Sequence, residues 1–322
     1  MRADKRTTPT MTNAANTPEP AAPASAPIER VDGAKAVMAA GFGACAATET
    51  QADAPHRILE WPHLELRLEY PFAVLQLRRP DDKLNTMNRA TVGMLDQALE
   101  WVYRDPNVKT LILTGRENLF TTGADVRGEL AYLDQWEVRD LVRRGKVVFS
   151  KLEEMDCPTI AAINGLTLGG GLELALCCDF RIAVPQARLG LTEANLAMVP
   201  GWGGSQRLVR TVGKTEASRM IYAGEQVRAA RALEIGLISA IAAGPETLLD
   251  ECRTFAKDFA NKSRITLGLA KREIHLALET SLYYGNMAES ELIALSWTSE
   301  DRKTALQNFI EGRKGQTEWQ NK

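Results

Sequence analysis

Between about residues 58 and 214, the spacing of apolar residues predicts strands that alternate with helices. Apolar and polar residues alternate over 64–70 and again over 73–79, with a Pro-Phe turn between them, which predicts a β-hairpin. Short apolar runs predict buried strands at 108–114, 159–163 and 180–183. Apolar residues at helical spacing predict helices at 88–104, 134–155 and 171–178. This alternation is typical of an α/β protein.

Beyond Lys214 the pattern becomes helical. The helices predicted there cover 216–222, 229–233, 246–260, 263–279, 282–298 and 301–313. Strands alternating with helices, followed by helices alone, predict an α/β core over 56–260 and a helical C-terminal region over 261–322.

Residues 1–55 have a different composition from the rest of the chain. The stretch 12–27 consists mostly of Ala, Pro, Thr and Asn and contains no aromatic or large aliphatic residue. Such a segment buries too little surface to offset its ordering entropy, so we predict a disordered extension. Its acidic residues argue against a transit peptide, and it has no apolar core of a secretory signal. We therefore expect a cytoplasmic protein rather than one of the mitochondrial matrix.

The overall composition narrows the classes of partner. The 322 residues are 45% hydrophobic and carry a net charge of −2, which favours neither nucleic acid nor an anionic membrane as the main partner. No apolar run reaches the roughly 18 residues of a membrane span. A basic cluster at Arg139, Arg143, Arg144 and Lys146 leaves RNA binding open as an alternative, although a solvated helix face is favoured.

Cysteine and histidine usage predicts neither a disulfide framework nor a metal site. Five cysteines are scattered through the chain, and we expect all of them to be reduced. The three histidines lack metal-ligand spacing, and the sequence shows no Ser/His/Asp signature.

A glycine-rich turn in AAINGLTLGGGLELALCCD (161–179) is the most informative feature of the sequence. A buried strand runs into Gly169, Gly170 and Gly171 and then into a helix, whose first N–H groups lack intrahelical partners. Such a turn is suited to binding an oxyanion. A turn used only for packing remains an alternative, whereas a phosphate loop is not favoured because no GxGxxG or GK[ST] motif is present.

Two glutamates are candidates for acid–base chemistry. Glu173 stands in LELAL, where every neighbour is apolar, and a buried carboxylate is costly unless it is paired or its pKa rises. Glu193 follows Thr192, which can cap a short helix, and precedes the Pro- and Gly-rich stretch 198–208. For each of them, an acid that merely favours a helix N-terminus is the alternative.

A third element, FTTGADV at 120–126, follows a predicted strand. A turn in this segment could aim the Ala124 N–H at the same point as the Gly170 N–H. By itself, it could equally be an ordinary strand-to-helix turn.

Together, FTTGADV, NGLTLGGGLELALCCD and LGLTEANLAMVPGWGGSQRLVRTVG closely resemble, in this order, the motifs of the crotonase (enoyl-CoA hydratase/isomerase) superfamily. The resemblance extends over about 64–314 and is strongest to enoyl-CoA hydratases. It implies a spiral ββα core with a helical C-terminal trimerisation region, and a homotrimer or hexamer.

The resemblance also implies roles for individual residues. The N–H groups of Ala124 and Gly170 would hold the thioester oxygen, Glu173 would activate water, and Glu193 would donate a proton. The residues expected to bind coenzyme A and substrate are Lys83, Leu84, Asn85, Asp125, Val126, Gly169 and Trp202. Coenzyme A is then part of the substrate, and no separate cofactor or metal is expected.

The implied activity is reversible syn-addition of water to a trans-2-enoyl-CoA, which gives a 3-hydroxyacyl-CoA. An enoyl-CoA isomerase or an acyl-CoA hydrolase on the same scaffold remains an alternative. Three positions depart from the common pattern: Trp202 replaces a small residue, Thr192 replaces proline, and Gly312 stands where some hydratases have lysine. Trp202 indicates either an altered acyl pocket or only a changed packing contact.

Overall fold

The structure is a computed structural model that describes residues 28–39, 57–313, 315 and 317–321. Strands in these residues are β1 (Glu29–Asp32), β2 (Arg57–Trp61), β3 (Leu64–Glu69), β4 (Phe72–Leu77), β5 (Thr110–Thr114), β6 (Leu119–Thr121), β7 (Thr159–Ile163), β8 (Leu166–Leu168), β9 (Phe180–Ala183), β10 (Arg188–Gly190), β11 (Val227–Arg228) and β12 (Ala240–Ile241). Helices are α1 (Gly33–Ala39), α2 (Arg89–Arg104), α3 (Gln135–Glu153), α4 (Gly170–Leu176), α5 (Gly204–Ala223), α6 (Ala229–Glu234), α7 (Leu248–Ala260), α8 (Arg264–Glu279), α9 (Leu282–Ser296) and α10 (Glu300–Ile310).

The strands form two sheets. The larger sheet has the order β1-β2-β3-β4-β5-β7-β9-β12, and the smaller has the order β11-β10-β8-β6. In the larger sheet β2, β3 and β4 are antiparallel neighbours, whereas the other pairs are parallel. The two-sheet arrangement places the ends of β6 and β8 close to each other, because these strands pair in parallel.

A strand–strand–helix unit recurs three times along the core, as β5-β6-α3, β7-β8-α4 and β9-β10-α5. In each unit the chain passes from the larger sheet to the smaller one and then into a helix. The corners are tight. A Cβ on Gly115 would lie 2.0 Å from the Leu119 carbonyl oxygen, and one on Gly165 would lie 1.6 Å from the Asn118 carbonyl oxygen. Only glycine therefore fits at these two corners.

The main predicted elements are confirmed. The predicted hairpin is the antiparallel pair β3–β4, and α2 and α3 begin one residue after their N-caps. Asn88 accepts a hydrogen bond from Thr91 N (2.9 Å), and Asp134 forms a capping box with Glu137. These caps explain why both helices start where they do.

The smaller sheet and the first part of α5 were not predicted from the sequence. Strands β6, β8, β10 and β11 have only two or three residues each, too few for a recognisable alternation. Helix α5 begins at Gly204 rather than at residue 216 and is interrupted at Gly213, where φ is +78°. The helix predicted from the sequence, 216–222, lies entirely after this interruption.

The expectation of a disordered extension is wrong for residues 29–39, which form β1 and α1. Strand β1 pairs in parallel with β2, and ion pairs join Arg30 to Glu60 (2.8 Å) and Arg57 to Glu29 (2.7 Å). Strand β1 is therefore held by partners distant in sequence, which local composition does not reveal. The remainder of the predicted extension, 1–27 and 40–55, lies outside the described residues.

Helices α8, α9 and α10 form the C-terminal helical region that the sequence predicted. No residue of α9 that the structure describes is buried, although its sequence is apolar on average. None of the helices in the described part of the chain combines the length and apolar character that a bilayer span requires.

Candidate active site

The Glu173 carboxylate is buried but has hydrogen-bond partners. Its side chain belongs to α4, all of whose residues are buried, and Glu173 itself is only 2% exposed. The Trp202 N–H and the Gly204 N–H donate to Oε1 over 2.8 and 2.7 Å. Burial raises the pKa of Glu173, while these two N–H groups oppose the rise by stabilising the carboxylate.

The glycines of PGWGGS allow the chain to wrap around this carboxylate. Gly203 has a φ of +103°, which disfavours any residue with a side chain. A Cβ on Gly204 would lie 2.6 Å from Glu173 Cγ and 3.0 Å from its Oε1. The loop can therefore present two N–H groups to Glu173 only with glycine at these positions.

Glu193 lies in a different environment, at the start of a short 3₁₀ helix, Glu193–Leu196. Its Oε2 is buried and has no hydrogen-bond partner among the described residues. Burial raises the pKa of Glu193 to about 7, and the negative charge of Glu173 adds to the rise. The expected cap is absent, because the Thr192 side chain makes no capping hydrogen bond. Glu193 can therefore exchange a proton near neutral pH.

The two predicted oxyanion turns lie against each other. Gly123 has a φ of +88°, and a Cβ there would lie 2.5 Å from Gly170 N and 2.9 Å from the Leu168 carbonyl oxygen. Around Ala124, Met87 N–H donates to the Gly123 oxygen and Asp125 N–H to the Met87 oxygen. These two hydrogen bonds involve the Gly123 carbonyl oxygen and the Asp125 N–H, and neither involves the Ala124 N–H. Gly170 is the first residue of α4, so its N–H has no acceptor within that helix.

Each glycine of the Gly169-Gly170-Gly171 turn faces a different neighbour. A Cβ on Gly169 would lie 3.1 Å from Glu193 Oε1, and one on Gly170 would lie 2.6 Å from the Trp202 ring. A Cβ on Gly171 would lie 2.1 Å from the Thr121 carbonyl oxygen. The turn thus brings the Glu193 carboxylate, the Trp202 ring and the end of β6 together at the start of α4.

Two of the predicted coenzyme A contacts have side chains engaged within the protein. Asn85 is buried, and its Nδ2 donates to the carbonyl oxygens of Leu77 (3.1 Å) and Phe120 (2.8 Å). Asp125 accepts from Arg79 Nη1 at 2.7 Å, and its other oxygen accepts from an amide N–H in the following turn. These side chains hold the two loops in place.

Three other predicted coenzyme A contacts are at least partly exposed to solvent. Lys83 is exposed and Leu84 is 44% exposed, while Val126 is half-buried. The Thr122 hydroxyl donates to the Leu84 carbonyl oxygen (3.1 Å), which connects this loop to the FTTG turn. Arg79 is not among the residues predicted from the sequence, because its partner Asp125 is distant along the chain.

Arg207 was also missed, although it lies in the segment that contains Trp202. Its Nη1 donates to the Trp202 carbonyl oxygen (3.0 Å), and its Nε and Nη2 bind Glu153 at 3.0 and 2.6 Å. Trp202 itself is 4% exposed and packs against Phe149, with 5.2 Å between ring centroids. The positive charge of Arg207 also opposes the rise in the pKa of Glu173 that burial causes. An arginine five residues after Trp202 is the signal that could have indicated this contact.

The two carboxyl groups have different environments, and this difference suits them to different roles in proton transfer. The two N–H groups that donate to Glu173 favour its carboxylate form, whereas Glu193, with its pKa raised to about 7, can carry a proton near neutral pH. The Ala124 and Gly170 turns lie against each other at Gly123, beside the Glu193 carboxylate.

Comparisons with known proteins identify the family of this chain. The sequence profile of the enoyl-CoA hydratase/isomerase family matches residues 69–322. Crotonyl-CoA hydratase of Syntrophomonas wolfei is 35% identical over 257 residues, which cover 80% of this chain and 98% of that protein. Short-chain-enoyl-CoA hydratase of Clostridium acetobutylicum is 35% identical over 80% of this chain and 97% of its own.

Among solved structures, an enoyl-CoA hydratase from Bacillus anthracis matches with a TM-score of 0.75 and 33% identity. The match covers 81% of this chain and all of that chain (100%). The fold is thus the α/β crotonase-like fold that the motifs implied. On these grounds the chain belongs to the enoyl-CoA hydratase/isomerase family.

Proposed function

We propose that this protein is an enoyl-CoA hydratase, which adds water reversibly and in syn fashion to a trans-2-enoyl-CoA. The observation that carries the proposal is the pair of unlike carboxylates beside the two glycine turns. Glu173 accepts two N–H groups, whereas Glu193 Oε2 has no partner among the described residues. Hydration needs both a base and an acid, and the pair supplies them.

In the proposed mechanism, the Ala124 and Gly170 N–H groups bind the thioester oxygen. Glu173 takes a proton from water as the water oxygen bonds to C3, and the C2=C3 electron pair shifts to form an enolate. The two N–H groups stabilise the enolate oxygen. Glu193 then gives its proton to C2, which restores the thioester carbonyl, and proton exchange with solvent returns both glutamates to their starting states.

A panel of trans-2-enoyl-CoA thioesters tests the proposal. Loss of the absorbance of the conjugated double bond, with formation of a 3-hydroxyacyl-CoA, is the expected result. The chain lengths ranked by kcat/KM would also define the acyl group. If no thioester in the panel loses its absorbance, the hydratase proposal is wrong.

The pH dependence of hydration is expected to follow the carboxylate pair. Glu193 has a pKa of about 7, so the singly protonated pair becomes doubly ionised as the pH rises through that value. We therefore expect kcat/KM to fall by about tenfold per pH unit above about 8. Dehydration of the 3-hydroxyacyl-CoA should fall in parallel, since the overall reaction consumes no proton. A flat profile from pH 6 to 9 in both directions would contradict this assignment.

We also propose that the chain assembles as a homotrimer or as a pair of trimers through its C-terminal helices. Large apolar side chains are exposed on α8, α9 and α10: Ile274, Leu278, Leu282, Tyr283, Met287, Ile293, Phe309 and Ile310. An exposed apolar area of this kind is typical of an interaction surface. Sedimentation should give three or six times the chain mass of 35.4 kDa. A species of one chain mass at micromolar concentration would refute the proposal.

We also propose that the protein is cytoplasmic and has no nucleic-acid partner. The described cysteines, Cys157, Cys177, Cys178 and Cys252, are free and buried, which fits a reducing compartment. On the basic face of α3, Arg144 pairs with Asp140 at 2.9 Å, which supports a solvated helix face rather than an RNA contact.

A further inference from the structure

The indole of Trp202 lies between α3 and the turn that carries the Gly170 N–H. The ring edge formed by Cε3 and Cζ3 is 2.6 Å from where a Cβ on Gly170 would stand. On its other side, Nε1 is 2.2 Å from where a Cβ on Gly145 of α3 would stand. Both glycines are therefore required by the volume of this ring.

The ring is held by shape rather than by a polar contact. Trp202 is 4% exposed, and its Nε1 is buried without a hydrogen-bond partner among the described residues. Beside it, a Cβ on Gly201 would lie 3.2 Å from Val142 Cγ2, so the loop also contacts α3 directly. A buried indole N–H usually has a partner. The indole therefore contributes its volume at this position and not a hydrogen bond.

The main chain of Trp202 fixes the ring relative to the reacting groups. The Trp202 N–H donates to Glu173 Oε1 (2.8 Å), and the Trp202 carbonyl oxygen accepts from Arg207 (3.0 Å). The side chain between these two anchors extends over Gly170. The ring is therefore next to Gly170, whose N–H is proposed to hold the thioester oxygen, and the main chain of the same residue holds the carboxylate proposed to act at C3.

We infer that Trp202 is a specificity-determining residue that restricts the acyl group to short chains by filling the space between α3 and Gly170. The inference rests on the proposed function, because it places C3 of the substrate at Glu173. A smaller residue at position 202 would open this space to further methylene groups, whose burial favours binding of a longer acyl chain.

The test compares kcat/KM for eight-carbon and four-carbon trans-2-enoyl-CoA. In Trp202→Ala we expect the ratio of the eight-carbon to the four-carbon value to rise at least about tenfold over wild type. Trp202→Phe, which keeps an aromatic ring but lacks the N–H, should retain most of the wild-type preference. Trp202→Leu provides the same comparison should the alanine variant fail to fold. An unchanged ratio in Trp202→Ala and Trp202→Leu, or an equal rise in Trp202→Phe, would overturn the inference.

A binding measurement separates this inference from the hydratase proposal. Butyryl-CoA and octanoyl-CoA have no double bond to hydrate, so their Kd values report on the pocket alone. We expect the relative affinity for octanoyl-CoA to rise in Trp202→Ala even if no enoyl-CoA is hydrated by the wild type. In that case only the proposed reaction would fail. Hydration by the wild type combined with unchanged Kd and kcat/KM ratios would refute the role of Trp202 alone.

Discussion

Glu173→Gln is expected to lower kcat for hydration by at least about 10²-fold while leaving the Kd of a saturated acyl-CoA nearly unchanged. The amide cannot take a proton from water. In the wild type the Trp202 and Gly204 N–H groups donate to Oε1 of the carboxylate. The amide oxygen of glutamine can accept the same two hydrogen bonds, so the loop should keep its position. Steady-state kinetics, together with calorimetric binding of butyryl-CoA, would measure both effects.

Glu193→Gln provides the matched comparison, because it removes the proton donor instead of the acceptor. We expect a loss of the same order. Since the two glutamates act as a unit, the double variant should be little slower than the slower single variant. Turnover at the wild-type rate in either single variant would exclude that residue from the mechanism, and multiplied losses in the double variant would show that the two act independently.

Gly123→Ala is expected to reduce kcat by about 10²–10³-fold, the usual effect of losing one oxyanion donor. The φ of Gly123 is +88°, and the added Cβ would lie 2.5 Å from Gly170 N. The two turns would have to separate, so their N–H groups could no longer converge on one oxygen. Both glutamates remain in this variant, so the measured loss in kcat would report on the oxyanion turns.

Gly93→Ala is the control for this substitution. Gly93 is exposed within α2, and apart from its chain neighbours and the backbone of its own helix no atom lies within 4 Å of a Cβ added there. This variant should keep wild-type kinetics and gain a little stability from the helix propensity of alanine. If Gly123→Ala retains the kcat of Gly93→Ala, the two turns do not form the oxyanion site.

The parts of the fold that the sequence predicted are those whose signals are local. The hairpin of β3 and β4 shows alternation, and α2 and α3 show caps followed by helical spacing. The position of Glu173 among apolar neighbours likewise indicated burial, and the structure shows it. Motif order then linked this residue to Glu193, twenty positions along the chain.

What the sequence did not predict depends on contacts between distant segments. The N–H groups that hold Glu173 come from residues 202 and 204, and nothing local to α4 indicates them. Strand β1 is held by its pairing with β2. Arg79 is positioned by its hydrogen bond to Asp125, which is 46 residues away along the chain. For Trp202, the sequence left pocket and packing as alternatives. The structure shows a packed ring whose edge also lies on Gly170, beside the proposed reaction centre.

Hydration of a trans-2-enoyl-CoA in ¹⁸O-labelled water tests the central claim most directly. Mass spectrometry of the product should show one ¹⁸O in a hydroxyacyl group that is still attached to coenzyme A, and a parallel reaction in D₂O should place one deuterium at C2. A hydrolase would instead release free coenzyme A and place the label in a carboxylic acid, and an isomerase would incorporate no ¹⁸O. Either of these results would contradict the proposed role of Glu173 and Glu193 in adding water.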